Sequence, residues 1–176
     1  MFQRLAQKTQ SLLVIALLSS NAAVNASNGD AEAGQVKAAT CVACHGVDGN
    51  SAVPSFPKLA GLGHKYLLKQ MQDIRDGRRP VALMAGQVDN MTDEDLSDIA
   101  AFYDAQERSG GMSDPDKVAL GRKVYLAGIA DREVPACSGC HSPTGNGNSL
   151  AGYPSLGGQH AEYIASQLKM FRKGYE

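Results

Sequence analysis

The sequence predicts an all-α protein built from one small helical module used twice, the second copy incomplete. Three observations carry this. The pattern Cys-x-x-Cys-His occurs at Cys41–His45 and returns at Cys137–His141, 96 positions later. The segments that follow repeat at nearly the same offset, as a duplicated module requires. Apolar residues recur at helical spacing, and no stretch shows sustained strand alternation.

Residues 1–26 read as a secretory signal. Arg4 and Lys8 supply a positive start, Leu12–Leu18 is an unbroken apolar run, and Val24-Asn25-Ala26 offers small residues for cleavage. The run is shorter than the roughly 20 residues needed to span a bilayer. Cleavage near Ala26 is expected to release residues 27–176 as an exported protein with a formal charge of −3, since the segment removes two of the 17 basic residues and none of the 18 acidic ones. No basic excess is present to suggest nucleic acid.

The first module is expected over residues 27–109. Its opening helix should span residues 30–45 and run into the cysteine pair. A second helix over 64–76 carries Leu67, Leu68, Met71 and Ile74 on one face. Thr92 can cap a third through about Gln106, with Asp93, Glu94 and Asp95 in its first turn. Gly110, Gly111, Ser113, Asp114 and Pro115 mark a linker and a new helix start. The second module, residues 110–176, is expected to have helices over 116–127 and 160–173.

Phe56–Gly61 matches Tyr153–Gly158, and Gln70–Gly77 matches Gln167–Gly174, both at an offset of 97. One residue has therefore been inserted after the second histidine. The second copy reads as lacking its distal loop and last helix, so that the helix over 116–127 is expected to want a partner. On this reading the chain is a fragment or a truncated protein.

Two cysteines spaced by two residues and followed at once by histidine form the attachment pattern of c-type haem. The spacing puts both sulfurs on one side of a helical turn, where they can form thioethers, and the histidine beneath the ring as iron ligand. Zinc ribbons place their pairs much closer together, and a thioredoxin-like pair needs a βαβ context. Structural disulfides would not require the histidine twice. Cys41, Cys44, Cys137 and Cys140 are therefore expected to hold two covalently bound haem c groups, with His45 and His141 on the irons.

Methionine is the expected sixth ligand of an electron-transfer haem. Met71 belongs to an apolar stripe, Met91 has hydrophobic-staple spacing to Leu96, and Met112 lies in the linker. Met84, alone in the loop Pro80–Gly86, is the favoured ligand of the first iron. Its counterpart would fall beyond Glu176. Met170 reads as a packing residue and His160 as a satisfied loop histidine, so the second iron has no predicted sixth ligand. Lys69, Arg75, Arg78 and Arg79 read as a solvated basic cluster, with haem propionates or a partner as the alternative. No general base, nucleophile or nucleotide loop accompanies the haems, which favours an electron carrier over an enzyme.

The chain resembles the two-haem class I cytochromes of the cytochrome c4 family. The resemblance rests on Gly29–Gln35 (GDAEAGQ), Cys41–Asn50 (CVACHGVDGN), Phe56–Gly61 (FPKLAG), Tyr66–Ile74 (YLLKQMQDI) and Gly158–Tyr163 (GQHAEY). It implies two tandem class I cytochrome c-like domains in the bacterial periplasm. They would carry electrons from a cytochrome bc complex to a terminal oxidase, often with loose attachment to the membrane. It also implies that the Pro57 and Pro154 carbonyls accept hydrogen bonds from the haem histidines, and that Gly34 lets the first helix approach the last near Phe102 or Tyr103. Two other classes remain open at this point. One is the dihaem subunit of a periplasmic dehydrogenase, such as a sulfide-oxidising flavocytochrome. The other is a haem protein that binds a diatomic ligand or acts as a peroxidase.

Overall fold

The computed structural model describes residues 29–175, so the signal-peptide reading lies outside the described residues. Among the described residues seven α-helices follow in order: α1 Ala31–Lys37, α2 Val42–His45, α3 His64–Arg75, α4 Asp93–Asp104, α5 Pro115–Ala127, α6 Ser138–His141 and α7 Ala161–Arg172. Among these residues β-structure is confined to two isolated bridges, Ile129 with Val134 and Asn148 with Tyr153.

The opening helix is not continuous through residues 30–45 as expected. Asp30 caps α1 by accepting from the Glu32 and Ala33 N–H groups, and the helix tightens into a 3₁₀ turn over Ala38–Thr40 before α2 begins. Such turns are common at helix ends. Here the turn tucks Ala38, which is fully buried, into the core and carries Cys41 in behind it. Helices α3 and α4 keep close to their expected bounds, and Thr92 and Asp95 close a reciprocal capping box at the start of α4.

The core is made where α1 and α3 pack on α4. It contains Ala38, Leu62, Leu67, Ile99, Ala100, Phe102 and Tyr103, with Met71 and Met91 against its edge. Gly34 permits the close crossing of α1 and α4. A Cβ there would meet the Asp98 carbonyl oxygen at 2.0 Å and the Phe102 Cβ at 3.0 Å, so the near neighbours are Asp98 and Phe102 rather than Tyr103. Asp98 fastens the same crossing, accepting the Asp30 N–H at 2.7 Å and the Lys37 ammonium. Asp98 is itself buried, unlike the acids of the first turn of α4.

Among the described residues every buried apolar side chain belongs to the first module. In the second, α5 packs on α6, and Leu120 on α5 remains 66% exposed.

Candidate functional site

The two Cys-x-x-Cys-His segments have the same local build. In each, the first cysteine precedes a one-turn helix that ends on the histidine, α2 or α6. All four cysteines are free thiols. Residue i to i+3 on one helical turn brings the two sulfurs of each pair to a common side.

The loops that return beneath each histidine also coincide. His45 Nδ1 lies 2.8 Å from the Pro57 carbonyl oxygen, and His141 Nδ1 lies 2.8 Å from that of Pro154. Leu59 N–H donates to Gly49 at 2.7 Å, and Leu156 N–H donates to Gly145 at 2.7 Å. Phe56 stands edge-on to His45 at 6.3 Å and Tyr153 to His141 at 6.0 Å. Gly145 matches Gly49 at an offset of 96 while Leu156 matches Leu59 at 97. The inserted residue therefore lies between Gly145 and Tyr153, where the Asn148–Tyr153 bridge absorbs it as a short turn.

With Nδ1 committed to a carbonyl, each imidazole presents Nε2 for a metal, the usual way an outer partner sets the tautomer and orientation of a ligand. Burial also lowers the pKa of His45 below the ordinary histidine value, although the Pro57 hydrogen bond opposes it. That direction favours the neutral ring of His45, the form that ligation requires. Paired free thiols and a histidine held in one tautomer fit covalent haem in both copies.

Met84 stands where a 3₁₀ turn, Ala82–Met84, breaks the loop between α3 and α4, and it is half-buried. Met71 and Met91 are engaged with the core, and Met112 is 98% exposed. In the second module Met170 sits half-buried near the end of α7.

His160 is not the counterpart of His64. It stands just before α7 and makes no side-chain cap bond to it, while His64 is the first residue of α3. Its Nε2 lies 2.9 Å from the Ser51 carbonyl and 3.0 Å from the Ser51 hydroxyl, so it is satisfied, as expected, but by the other module.

The basic cluster is paired rather than simply solvated. Lys69 and Arg78 bond Asp73, Arg75 bonds Asp76 and Asp93, and Arg79 donates to Tyr163 and Gln167 across the seam between modules.

Sequence reasoning passed over the residues that join the copies. The Arg108 guanidinium donates to Ala60, Ser155 and Gly157 carbonyls at 2.7, 2.7 and 3.1 Å. Lys58 is buried and spends its ammonium on Ser109 and Gly110. Gln159, also buried, exchanges two hydrogen bonds with the Lys58 backbone. A lysine inside the first copy of the repeated aromatic-Pro-x-Leu segment was the one available hint, since lysine is rarely buried without a task.

A tandem helical fold with a haem-attachment turn in each half defines a dihaem c-type cytochrome, and residues 31–104 match the family model described as cytochrome c. The cytochrome c4 of Pseudomonas aeruginosa is 58% identical over 146 residues, covering 83% of this chain and 73% of that protein. A crystal structure of reduced recombinant cytochrome c4 from Pseudomonas stutzeri aligns with a TM-score of 0.81 at 54% identity, over 83% of this chain and 82% of that one. At 35% identity over 147 residues, covering 78% of this chain and 65% of the relative, stands a thiosulfate dehydrogenase electron acceptor of Stutzerimonas stutzeri. The chain belongs to the cytochrome c4 family. It accordingly carries two covalent haem c groups, one on each Cys-x-x-Cys-His segment, and is an electron-transfer protein.

Proposed function

We propose that the protein is a periplasmic dihaem carrier that moves single electrons from a cytochrome bc complex to a terminal oxidase. The observation that carries the reading is the duplicated site: two identical His Nδ1 to proline carbonyl bonds, each beneath a Cys-x-x-Cys-His turn, in a member of the cytochrome c4 family. Bound haem supplies one-electron iron(III)/iron(II) cycling. The chain's own residues tether, orient and insulate. Cys41, Cys44, Cys137 and Cys140 would form the thioethers to the haems, and His45 and His141 would ligate the irons. Pro57 and Pro154 hold those imidazoles, and Met84 closes the first iron. The modules divide at 109/110, and no helix among the described residues is long and apolar enough to cross a membrane.

Two measurements test this. Reduced protein mixed with membranes of its host should be reoxidised by the terminal oxidase, and failure with every such oxidase would remove the carrier reading. Met84→Ala should open the first iron to carbon monoxide in the reduced state, where Met71→Ala should not.

A second reading is favoured by the relatives named as thiosulfate dehydrogenase electron acceptors. In it the donor is a periplasmic dehydrogenase instead of a bc complex. A catalytic subunit that stays bound through purification would select this reading.

A further inference from the structure

The geometry points to Gln159 of the second module as a positioning residue for the iron ligand of the first, acting through a single peptide group. The inference rests on His45 being the axial ligand of the first haem, as proposed above. The Pro57 carbonyl that lies 2.8 Å from His45 Nδ1 shares its peptide unit with the Lys58 N–H. That N–H donates to Gln159 Oε1 at 2.9 Å. His45, the Pro57–Lys58 peptide and Gln159 therefore form one unbroken chain of hydrogen bonds across the seam between modules.

The orientation of the Gln159 amide is dictated by its neighbours. Oε1 also accepts the His160 N–H at 3.0 Å, and Nε2 donates to the Lys58 carbonyl at 2.8 Å. Reversing the amide would set its NH₂ against two N–H donors and its oxygen against a carbonyl. Lys58 and Gln159 are 5% and 7% exposed, so these bonds act in a low-dielectric setting.

The consequence follows from peptide resonance. An acceptor on the N–H draws electron density toward the carbonyl oxygen, and bonds in such a chain strengthen one another. The Pro57 oxygen then pulls harder on the Nδ1 proton and makes the imidazole a more basic ligand. A more basic ligand favours the oxidised iron. Gln159 thus lowers the reduction potential of the first haem.

The second module has no such relay. Pro154 receives His141 in the same way, but the Ser155 N–H has no acceptor among the described residues. Arg108 bonds the Ser155 carbonyl, which belongs to the next peptide. At the repeat position of Gln159 the first module carries Leu62, a core residue without polar atoms. Two proximal sites alike in their inner contacts are made unlike by this one side chain.

The test uses the haem-loaded chain and its Gln159→Met and Gln159→Glu variants, with each haem followed separately by NMR during a redox titration. In Gln159→Met the ferrous-to-ferric ratio of the first haem at fixed poise should rise about threefold, which is ~28 mV at ~59 mV per tenfold for one electron. The His45 Nδ1–H resonance should move upfield, while the second haem and the His141 resonance stay in place. Gln159→Glu keeps the acceptor, loses the Nε2 donor and, when ionised, adds a negative charge that also favours ferric iron, so its ratio should lie at or below that of the parent chain. If Gln159→Met does not assemble its haems, Gln159→Glu alone decides, a rise in its ratio refuting the relay. The relay is overturned if Gln159→Met changes nothing, if both haems move alike, or if Gln159→Glu behaves like Gln159→Met. A His45 ring without the shifted resonances of an iron ligand would overturn the ligand assignment and the relay together.

Discussion

Gly46 and Ser142 occupy the same place after the histidines of the two Cys-x-x-Cys-His segments, and both have positive φ, +81° and +66°, with ψ near 160°. That region is open to glycine and costs other residues of order 1–3 kcal/mol. Ser142 recovers part of the cost because its Oγ accepts the Asn146 N–H at 3.0 Å. Ser142→Gly should therefore stabilise the second module by ~1 kcal/mol, read as a rise in its melting temperature. Gly34 is the opposite case, since its backbone is ordinary and only space is lacking. Gly34→Ala drives a methyl into the Asp98 carbonyl, which is backbone and cannot swing away. A loss of ~3 kcal/mol in denaturant titration is expected, at the upper end of overpacking costs.

Helices α1 and α4 meet along a seam that charge as well as packing holds together. The Asp98 carboxyl is kept below the usual aspartate range by the Asp30 N–H first and the Lys37 ammonium second. Asp95 is held lower still, by Lys37 and by its bonds to Thr92. A carboxylate whose folded pKa is depressed stabilises the fold above its unfolded pKa of ~3.9, and this contribution disappears as pH falls through the lower folded value. The first module should thus lose stability progressively below about pH 4. Asp98→Ala should flatten that dependence and cost ~2 kcal/mol at neutral pH, because the Asp30 N–H loses its charged acceptor and Lys37 is left with Asp95 alone. Denaturant titrations of both proteins between pH 2 and 7 provide the check.

Across the whole molecule the two copies hold each other by their proximal loops. Gln159 and His160 grip the Ser51–Lys58 loop, and Arg108 reaches from the first module to the loop beneath His141. Arg108 is the broadest of these contacts, with carbonyl acceptors on both sides of the seam. Arg108→Met leaves three carbonyls without that donor and should loosen the docking without unfolding either half. Limited proteolysis within residues 109–114 should become at least tenfold faster, while the haem spectrum stays that of the parent chain. Unchanged cleavage would mean that the remaining cross-seam bonds suffice.

The duplication, the helical class and the haem-attachment turns were legible in the amino-acid order because each is a local property. Covalent spacing sets where two sulfurs and a histidine stand on one turn, and apolar periodicity sets which face of a helix is buried. The expected helix over residues 30–45 failed at Ala38 because burial of that residue chose the tighter turn, and Arg79 proved to be a seam residue for the same kind of reason. Gln159 and Arg108 meet Lys58 and Ser155 of the other copy, 101 and 47 positions away, only when the copies dock, and Lys58 meets Ser109, 51 positions on, only when its own module has folded. Sequence by itself determined what each module is; tertiary structure decided how Gln159 of one module reaches the peptide that holds His45 of the other, since hydrogen bonds between a side chain and a distant backbone exist only after the chain has closed on itself.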